Sequence, residues 1–261
     1  FFLLIAIDCY AGINFDGVDD YVQVTDFISS NQTYWSVHAR AYFDTADTDD
    51  FVAYYRTSGS PGTGFSMQRD DVGAVSGRTD CIRVGVAGAT TGYAVEGATN
   101  SGASGAWVDI VLAFDSAADA LNLYINGAAD ANSPDSSGAG AMVAQTTDCF
   151  IGATSATAAN TMMDGQITEV AFWNVCLTAA EAKLLADSKI KGMPLQIRPA
   201  NLVLYLPMDD QTAATSADGD TVYDKSGNAR NGTGVDGANN TGLLWTGESV
   251  LSYPPKIGEF Q

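Results

Sequence analysis

Histidine is nearly absent from this chain, with His38 alone among 261 residues, and basic residues number 12 against 31 acidic ones. A single imidazole leaves little room for a nucleophile–histidine–acid triad, and the strings GxSxG, HExxH and GxxxxGK[ST] are missing as well. The net charge of −19 repels phosphate backbones and anionic lipid, so nucleic acid is disfavoured as a partner and divalent cations are favoured. Cys9, Cys81, Cys149 and Cys176 are widely separated and form no CxxC, which argues against a zinc knuckle or a redox pair. Their even number permits two disulfides without requiring them. No apolar run is long enough to span a bilayer: Phe1–Ile7 (FFLLIAI) is far too short and lacks the basic flank of a signal peptide. This run is expected to be a buried strand, packed in its own sheet or against a neighbouring subunit. Glutamate is scarce too. Only five of the acids are glutamates (Glu96, Glu169, Glu181, Glu248 and Glu259), and aspartate prefers turns and strand ends to helix interiors.

What the chain does contain reads as strands. Hydrophobic residues make up 46% of it and aromatics 10%, enough for a sizeable core. Ile13 and Phe15 lead into Asp16-Gly17, a pair that turns the backbone, and Tyr21–Val24 leaves that turn as a second β run. Trp35, Val37, Ala39, Ala41 and Phe43 fall on one face of an alternating strand, with Ser36, His38 and Arg40 on the other, so His38 is expected at the surface. Short strands follow at Phe51–Tyr55, Phe65–Gln68 and Cys81–Val86, separated by turn-rich pieces such as Ser58–Gly62. Val108, Ile110, Leu112 and Phe114 share a face, as do Leu121, Leu123 and Ile125, before the turn Asn126-Gly127. Two more blocks lie at Phe150–Gly152 and Met163–Trp173. A short helix then begins with the capping box Thr178-Ala-Ala-Glu181 and stops at Gly192 and Pro194. Repeated short strands with glycine-rich turns predict an all-β sandwich or jelly roll of two antiparallel sheets.

The string FDGVDDYVQV, the strand Trp35–Phe43, the pair Trp107–Asp115 with Leu121–Gly127, and the closing block Met163–Trp173 occur in the order of a known family. In this the chain resembles the laminin-G-like, concanavalin A-like lectin/glucanase domains from about residue 13 to 190. The resemblance implies a concanavalin-like jelly-roll β-sandwich over 1–195, with one short helix and a C-terminal extension over 196–261. It departs from the pattern at Val108, where a histidine is usual, and at Thr168, where an aspartate is usual. The segments Asn201–Asp210, Val222–Asn228 and Asn231–Thr233 resemble the family's first strand, displaced to the end of the chain. Leu202, Leu204 and Leu206 on one face, with Val203 and Tyr205 on the other, suit a strand covered on both sides. Strand 201–208 is therefore expected to complete a sheet, in its own chain or in a neighbouring subunit.

Family members often hold calcium where the FDG turn meets the closing strand, which implies the oxygens of Asp16, Gly17 and Glu169 as ligands. The sandwich also often presents sugars to aromatic side chains, for which Tyr42, Trp107, Tyr124 and Trp245 are the stacking candidates. Glucan hydrolases on this sandwich carry E-x-D-x-x-E on one strand, and that motif is missing. The sequons at Asn31, Asn231 and Asn239 fit a secreted glycoprotein. Taken together these features point to a non-enzymatic extracellular or virion-surface protein. The leading expectation is a self-assembling or decorating structural subunit: a phage decoration or fibre protein, or a filament subunit, with Phe1–Ile7 or Leu202–Leu206 completing a neighbour or docking on a viral capsid. The alternative is a glycan-binding adhesion module.

Overall fold

The computed structural model describes residues 11–44, 50–56, 63–70, 78–88, 92–98, 100–131, 133, 140–156, 162–187, 192–237 and 242–246. Phe1–Ile7 and Asn239 lie outside the described residues. In chain order the first strands are β1 (Ile13–Asp16), β2 (Tyr21–Val24), β3 (Tyr34–Phe43), β4 (Asp50–Arg56), β5 (Gly64–Asp70), β6 (Cys81–Ala87), β7 (Gly92–Glu96) and β8 (Trp107–Asp115). Then come β9 (Ala120–Ile125), β10 (Ala128–Ala129), β11 (Cys149–Ile151), β12 (Asp164–Trp173), the helix α1 (Ala179–Asp187), β13 (Leu202–Leu206), β14 (Thr221–Val222), β15 (Gly232–Val235) and β16 (Leu244–Trp245).

These strands form two antiparallel sheets. The first runs β10-β9-β8-β3-β12-β1-β16, and the second β14-β15-β2-β11-β4-β5-β6-β7. Alternation along each strand sends one set of side chains between the sheets. Trp35, Val37, Ala39, Ala41 and Phe43 of β3 are completely buried there, against Phe65, Val84 and Ile151 of the second sheet. Phe15 is equally buried, and Gly152 makes room for it: a Cβ on that glycine would sit 2.5 Å from the ring. Gly165 meets the same requirement in β12, with φ at +144° and the Tyr42 carbonyl 2.0 Å from where a Cβ would stand.

The displaced tail returns to its own chain. β13 pairs with the C-terminal half of β12 (Val170↔Leu206 to Trp173↔Leu202), while β1 pairs with the N-terminal half (Asp16↔Asp164 to Ile13↔Ile167). The two short strands thus share one position beside β12. β15 joins β2 in the second sheet and β16 joins β1 in the first, so residues 196–261 contribute strands to both layers. The outer edge of β13 is closed by the loop that follows. Asp224 accepts the Tyr205 amide (3.0 Å), the Lys225 amide donates to the Tyr205 carbonyl (2.8 Å), and Asn228 donates to the carbonyls of Leu202 and Val203 (3.0 Å each). Arg230 also donates to Val203. Leu202–Leu206 is thus paired on one side and capped on the other within its own chain, the in-chain alternative of the two expected.

A second apolar cluster lies on the outside of the first sheet. α1 begins as expected, with Thr178 and Glu181 capping each other (Glu181 amide to Thr178 Oγ1 3.3 Å, Thr178 amide to Glu181 Oε2 2.8 Å). It places Ala182 and Leu185 over Val111, Ala113, Ala171 and Trp173. Cys149 and Cys176 are both thiols, and burial raises both, Cys176 to about 11, so neither is a ready nucleophile. No described helix is long and apolar enough to cross a membrane.

Candidate functional site

Three groups of polar residues stand out on this frame, all on or beside the outer face of the first sheet. The first is buried under α1. Arg40 Nε and His38 Nε2 both reach Asp109 Oδ1 (2.9 and 3.1 Å), and Arg40 Nη2 donates to the Leu185 carbonyl at the end of the helix (3.2 Å). Arg40 Nη1 lies 3.9 Å from Glu169, whose other oxygen accepts from the Tyr205 hydroxyl (2.6 Å) and the Gly192 amide (3.2 Å). His38 is fully buried, not a surface residue, because the face it shares with Arg40 is covered by the helix. The group ties α1 and the Gly192 turn to the sheet, while the buried His38 Nδ1 has no hydrogen-bond partner. Its role is positional.

A β-bulge explains how Glu169 comes to belong there. The register of β12 against β3 shifts between Ile167 and Glu169, and the extra residue, Thr168, turns its hydroxyl to the Ala11 carbonyl. Glu169 is thereby aimed at Arg40. It stands five residues along β12 from Asp164, the partner of Asp16, a separation of roughly 15 Å at strand rise. The structure thus corrects the implied calcium set: Asp16 and Gly17 share a turn, and Glu169 is elsewhere.

The second group is at that turn. One carboxylate oxygen from each of Asp16, Asp19 and Asp20 lies within 4.8 Å of the others. Gly17 adopts φ +77° against Asp164, as the Asp-Gly turn requires. Asp20 is completely buried. Its Oδ2 accepts the Asp16 amide (2.9 Å), and its Oδ1 has no hydrogen-bond partner. Burial, followed by the charges of Asp16, Asp236 and Asp19, outweighs that amide and pushes the Asp20 carboxyl up to about 7. An orphaned carboxylate oxygen among other carboxylates is the donor chemistry that a hard divalent cation takes, and these residues fit a calcium ion.

The third group is a row across the sheet beyond the reach of α1. Trp107 pairs with Tyr42, Tyr42 with Gln166, Gln166 with Asn14, and Asn14 with Leu244, on β8, β3, β12, β1 and β16 in turn. Directly paired residues share a face, so five side chains stand side by side, all partly exposed. The Tyr42 and Trp107 rings are 5.6 Å apart, inclined at 55°. Neither amide, of Asn14 or of Gln166, makes a hydrogen bond to the described residues. From Trp107 to Asn14 the row crosses three strand spacings, about 14 Å.

The structure brings together only two of the four aromatic candidates. Tyr124 is buried in the cluster beneath α1, and Trp245 is 1% exposed between the sheets with its indole N–H on Asp220 (2.9 Å), so neither can stack on a ligand. Gln166, Asn14, Asp20 and Asp236 were not singled out in the sequence. The first two alternate with core residues Ile13, Phe15 and Ile167, which is the signal that could have found them. Asn31 and Asn231 are exposed, and their side-chain carbonyls hold the amides of Ala144 and Asp224.

Residues 16–183 match the family model described as the concanavalin A-like lectin/glucanases superfamily, of laminin G type. The chain belongs to this superfamily. Among solved structures, this superfamily member is similar to a candidate carbohydrate binding protein from Bacteroides ovatus, with 17% identity and a TM-score of 0.62 over 94% of this chain and 62% of that one. It therefore spans less than two thirds of that protein. It is also similar to the native heptameric SAP-like pentraxin from Limulus polyphemus, with 12% identity and a TM-score of 0.51 over 69% of this chain and 82% of that one. At these identities the likeness is one of fold. No curated protein matches the sequence.

Proposed function

We propose that this chain is a non-enzymatic, extracellular glycan-binding module whose platform is the row Trp107–Tyr42–Gln166–Asn14. The observation that supports it is the combination in that row: two partly exposed rings in line with two uncommitted amides on rigid central strands. A sugar ring has an apolar C–H face and a rim of hydroxyls. Aromatic rings take up the first without needing a pocket, and an amide offers both a donor and an acceptor to the second. Strands hold such groups at fixed spacing, so little ordering entropy is lost on binding.

This ligand class is also the one named for the Bacteroides ovatus protein, although that likeness extends to the fold alone. The structural-subunit reading rested on open terminal strands. One of them, Leu202–Leu206, is paired and capped within its own chain, and no other observation favours that reading over glycan binding.

A glycan array probed with the fluorescently labelled chain, alongside its Trp107→Ala variant, tests the proposal. Binding to a defined glycan group that is lost in the variant is the expected result. An array silent to the folded chain would defeat it.

A further inference from the structure

One step along the strands from the Trp107–Tyr42–Gln166–Asn14 row, on the same face of the first sheet, runs a row of acids. Asp16 pairs with Asp164, and the Asp44 amide continues the ladder by donating to the Asp164 carbonyl (3.1 Å). Asp16 stands two residues from Asn14, Asp164 two from Gln166 and Asp44 two from Tyr42, so the side chains of both rows point the same way, about 7 Å apart along the strands. Asp16 and Asp164 are partly exposed and Asp44 is exposed. Asp16 belongs to the turn, where its Oδ1 accepts the Val18 amide (2.9 Å). The carboxylates of Asp44 and Asp164 accept no hydrogen bond and form no ion pair among the described residues. Incomplete solvation, followed by the charge of Asp164, raises the Asp44 carboxyl above its ordinary value. Beyond Asp44 the strand position is filled by Gly105, where a Cβ would meet nothing within 4 Å, so that end of the acid row is open beside Trp107. No basic side chain stands in either row. Arg40, two residues from Tyr42 on its other side, is buried on Asp109 and the Leu185 carbonyl, and Lys183 of α1 pairs with Asp187 (2.7 Å).

We infer that the platform selects a glycan carrying a free amino group, with a sugar ring over Tyr42 and Gln166 and its ammonium taken by Asp44 and Asp164. The inference rests on the glycan-binding reading and names its ligand class. The rings and uncommitted amides supply the surface to which a sugar adheres, and the acids decide which sugar. A ring stacked on Tyr42 projects substituents along the strands towards Asp44 and Asp164. An ammonium there has three donors for carboxylates that have no other partner, and it relieves their mutual repulsion. An N-acetyl group in the same place keeps the amide chemistry and loses the charge. A carboxylate or sulfate on the sugar meets like charge and is rejected. Asp44 and Asp164 are not among the three acids that come within reach of one cation at the turn, so an ion there leaves both free to meet the ligand.

Isothermal titration of the full chain with glucosamine oligomers and with N-acetylglucosamine oligomers of the same length tests the selection, at about pH 5.5, where amines are protonated and ordinary carboxylates charged. An exposed ion pair is worth up to about fivefold in affinity, so with two carboxylates the amine form should bind about fivefold or more tightly than the acetylated form. That preference should shrink as salt is raised from roughly 0.05 to 0.5 M. The double variant Asp44→Asn with Asp164→Asn leaves the platform row and the turn acids in place. It should fold, lose the preference and keep the parent's affinity for the acetylated oligomer. Since the variant is still strongly acidic, a preference that survives in it would be an effect of overall charge and would overturn the inference. Equal affinity of the parent for the two oligomers would overturn it as well, as would binding of a sialylated oligosaccharide; in either case binding that Trp107→Ala abolishes would leave the platform standing. Failure of every glycan to bind would overturn the platform and its selectivity together.

Discussion

Replacing Arg40 by leucine removes the guanidinium from between Asp109 and Glu169 and leaves two buried carboxylates, 8% and 2% exposed as residues, facing the underside of α1. Asp109 keeps His38, and Glu169 keeps the Tyr205 hydroxyl and the Gly192 amide. The helix loses the Arg40 bond to its Leu185 carbonyl. Breaking a buried ion pair from one side costs about 3–5 kcal/mol, because the charge left behind is neither solvated nor neutralised. For a domain of this size each kcal/mol moves the midpoint by about 2–4 °C, so Arg40→Leu should lower the melting temperature by roughly 10 °C. Trp173 and Tyr205 pack under α1, so near-ultraviolet circular dichroism should report the loosened helix directly. Adding Asp109→Leu and Glu169→Leu should not recover the loss, because the buried His38 ring and Tyr205 hydroxyl then lose their acceptors. A urea titration in which Arg40→Leu costs less than about 1 kcal/mol, the range of an exposed pair, would refute the burial and coupling described for this group.

Asn228→Ala removes the two bonds that close the edge of β13 at Leu202 and Val203, so it should cost about 1 kcal/mol and expose a strand edge. Size-exclusion chromatography should then show dimers or larger species that the parent lacks. Glu181→Ala deletes one half of the capping box and the contact with Arg198, for an expected loss of about 1 kcal/mol at neutral pH. Burial alone would raise the Glu181 carboxyl, but the Thr178 amide and hydroxyl together with Arg198 hold it below its ordinary 4.5. A lowered value means the contribution is present above pH 4.5 and fades as pH falls through the folded value, so melts at pH 7 and pH 3 should show the gap between parent and variant closing in acid.

The sandwich was legible wherever alternation was long and apolar. β3, β8, β9 and β12 each repeat core side chains with a period of two, and the Asp16-Gly17 turn and the Thr178–Glu181 cap are local devices whose partners lie within a few residues. Less legible were β15, built from Gly232, Thr233, Gly234 and Val235, and the two-residue β16. Small residues and short length erase the period, and only pairing with β2 and β1 makes these segments strands. The sites were harder, because each is assembled across the chain. His38 read as a surface residue since its face of β3 is polar, and the helix that buries it comes 141 residues later, as the Ser36–Leu177 bond on that face shows. Glu169 read as a ligand for the turn because a bulge at Thr168, invisible to a period-two count, re-aims it. Tyr42 and Trp107 were found as aromatics, while Gln166 and Asn14 joined them only once the strand order placed four registers in line.

On the proposed function, ligand binds at the Trp107–Tyr42–Gln166–Asn14 row. Isothermal titration of the best array glycan against the parent chain and against Tyr42→Ala tests it most directly, with melting curves confirming that both are folded. An affinity at least about tenfold lower is expected in the variant, as loss of one stacking ring of ~1.4 kcal/mol or more requires. Equal affinity in the two proteins would contradict it.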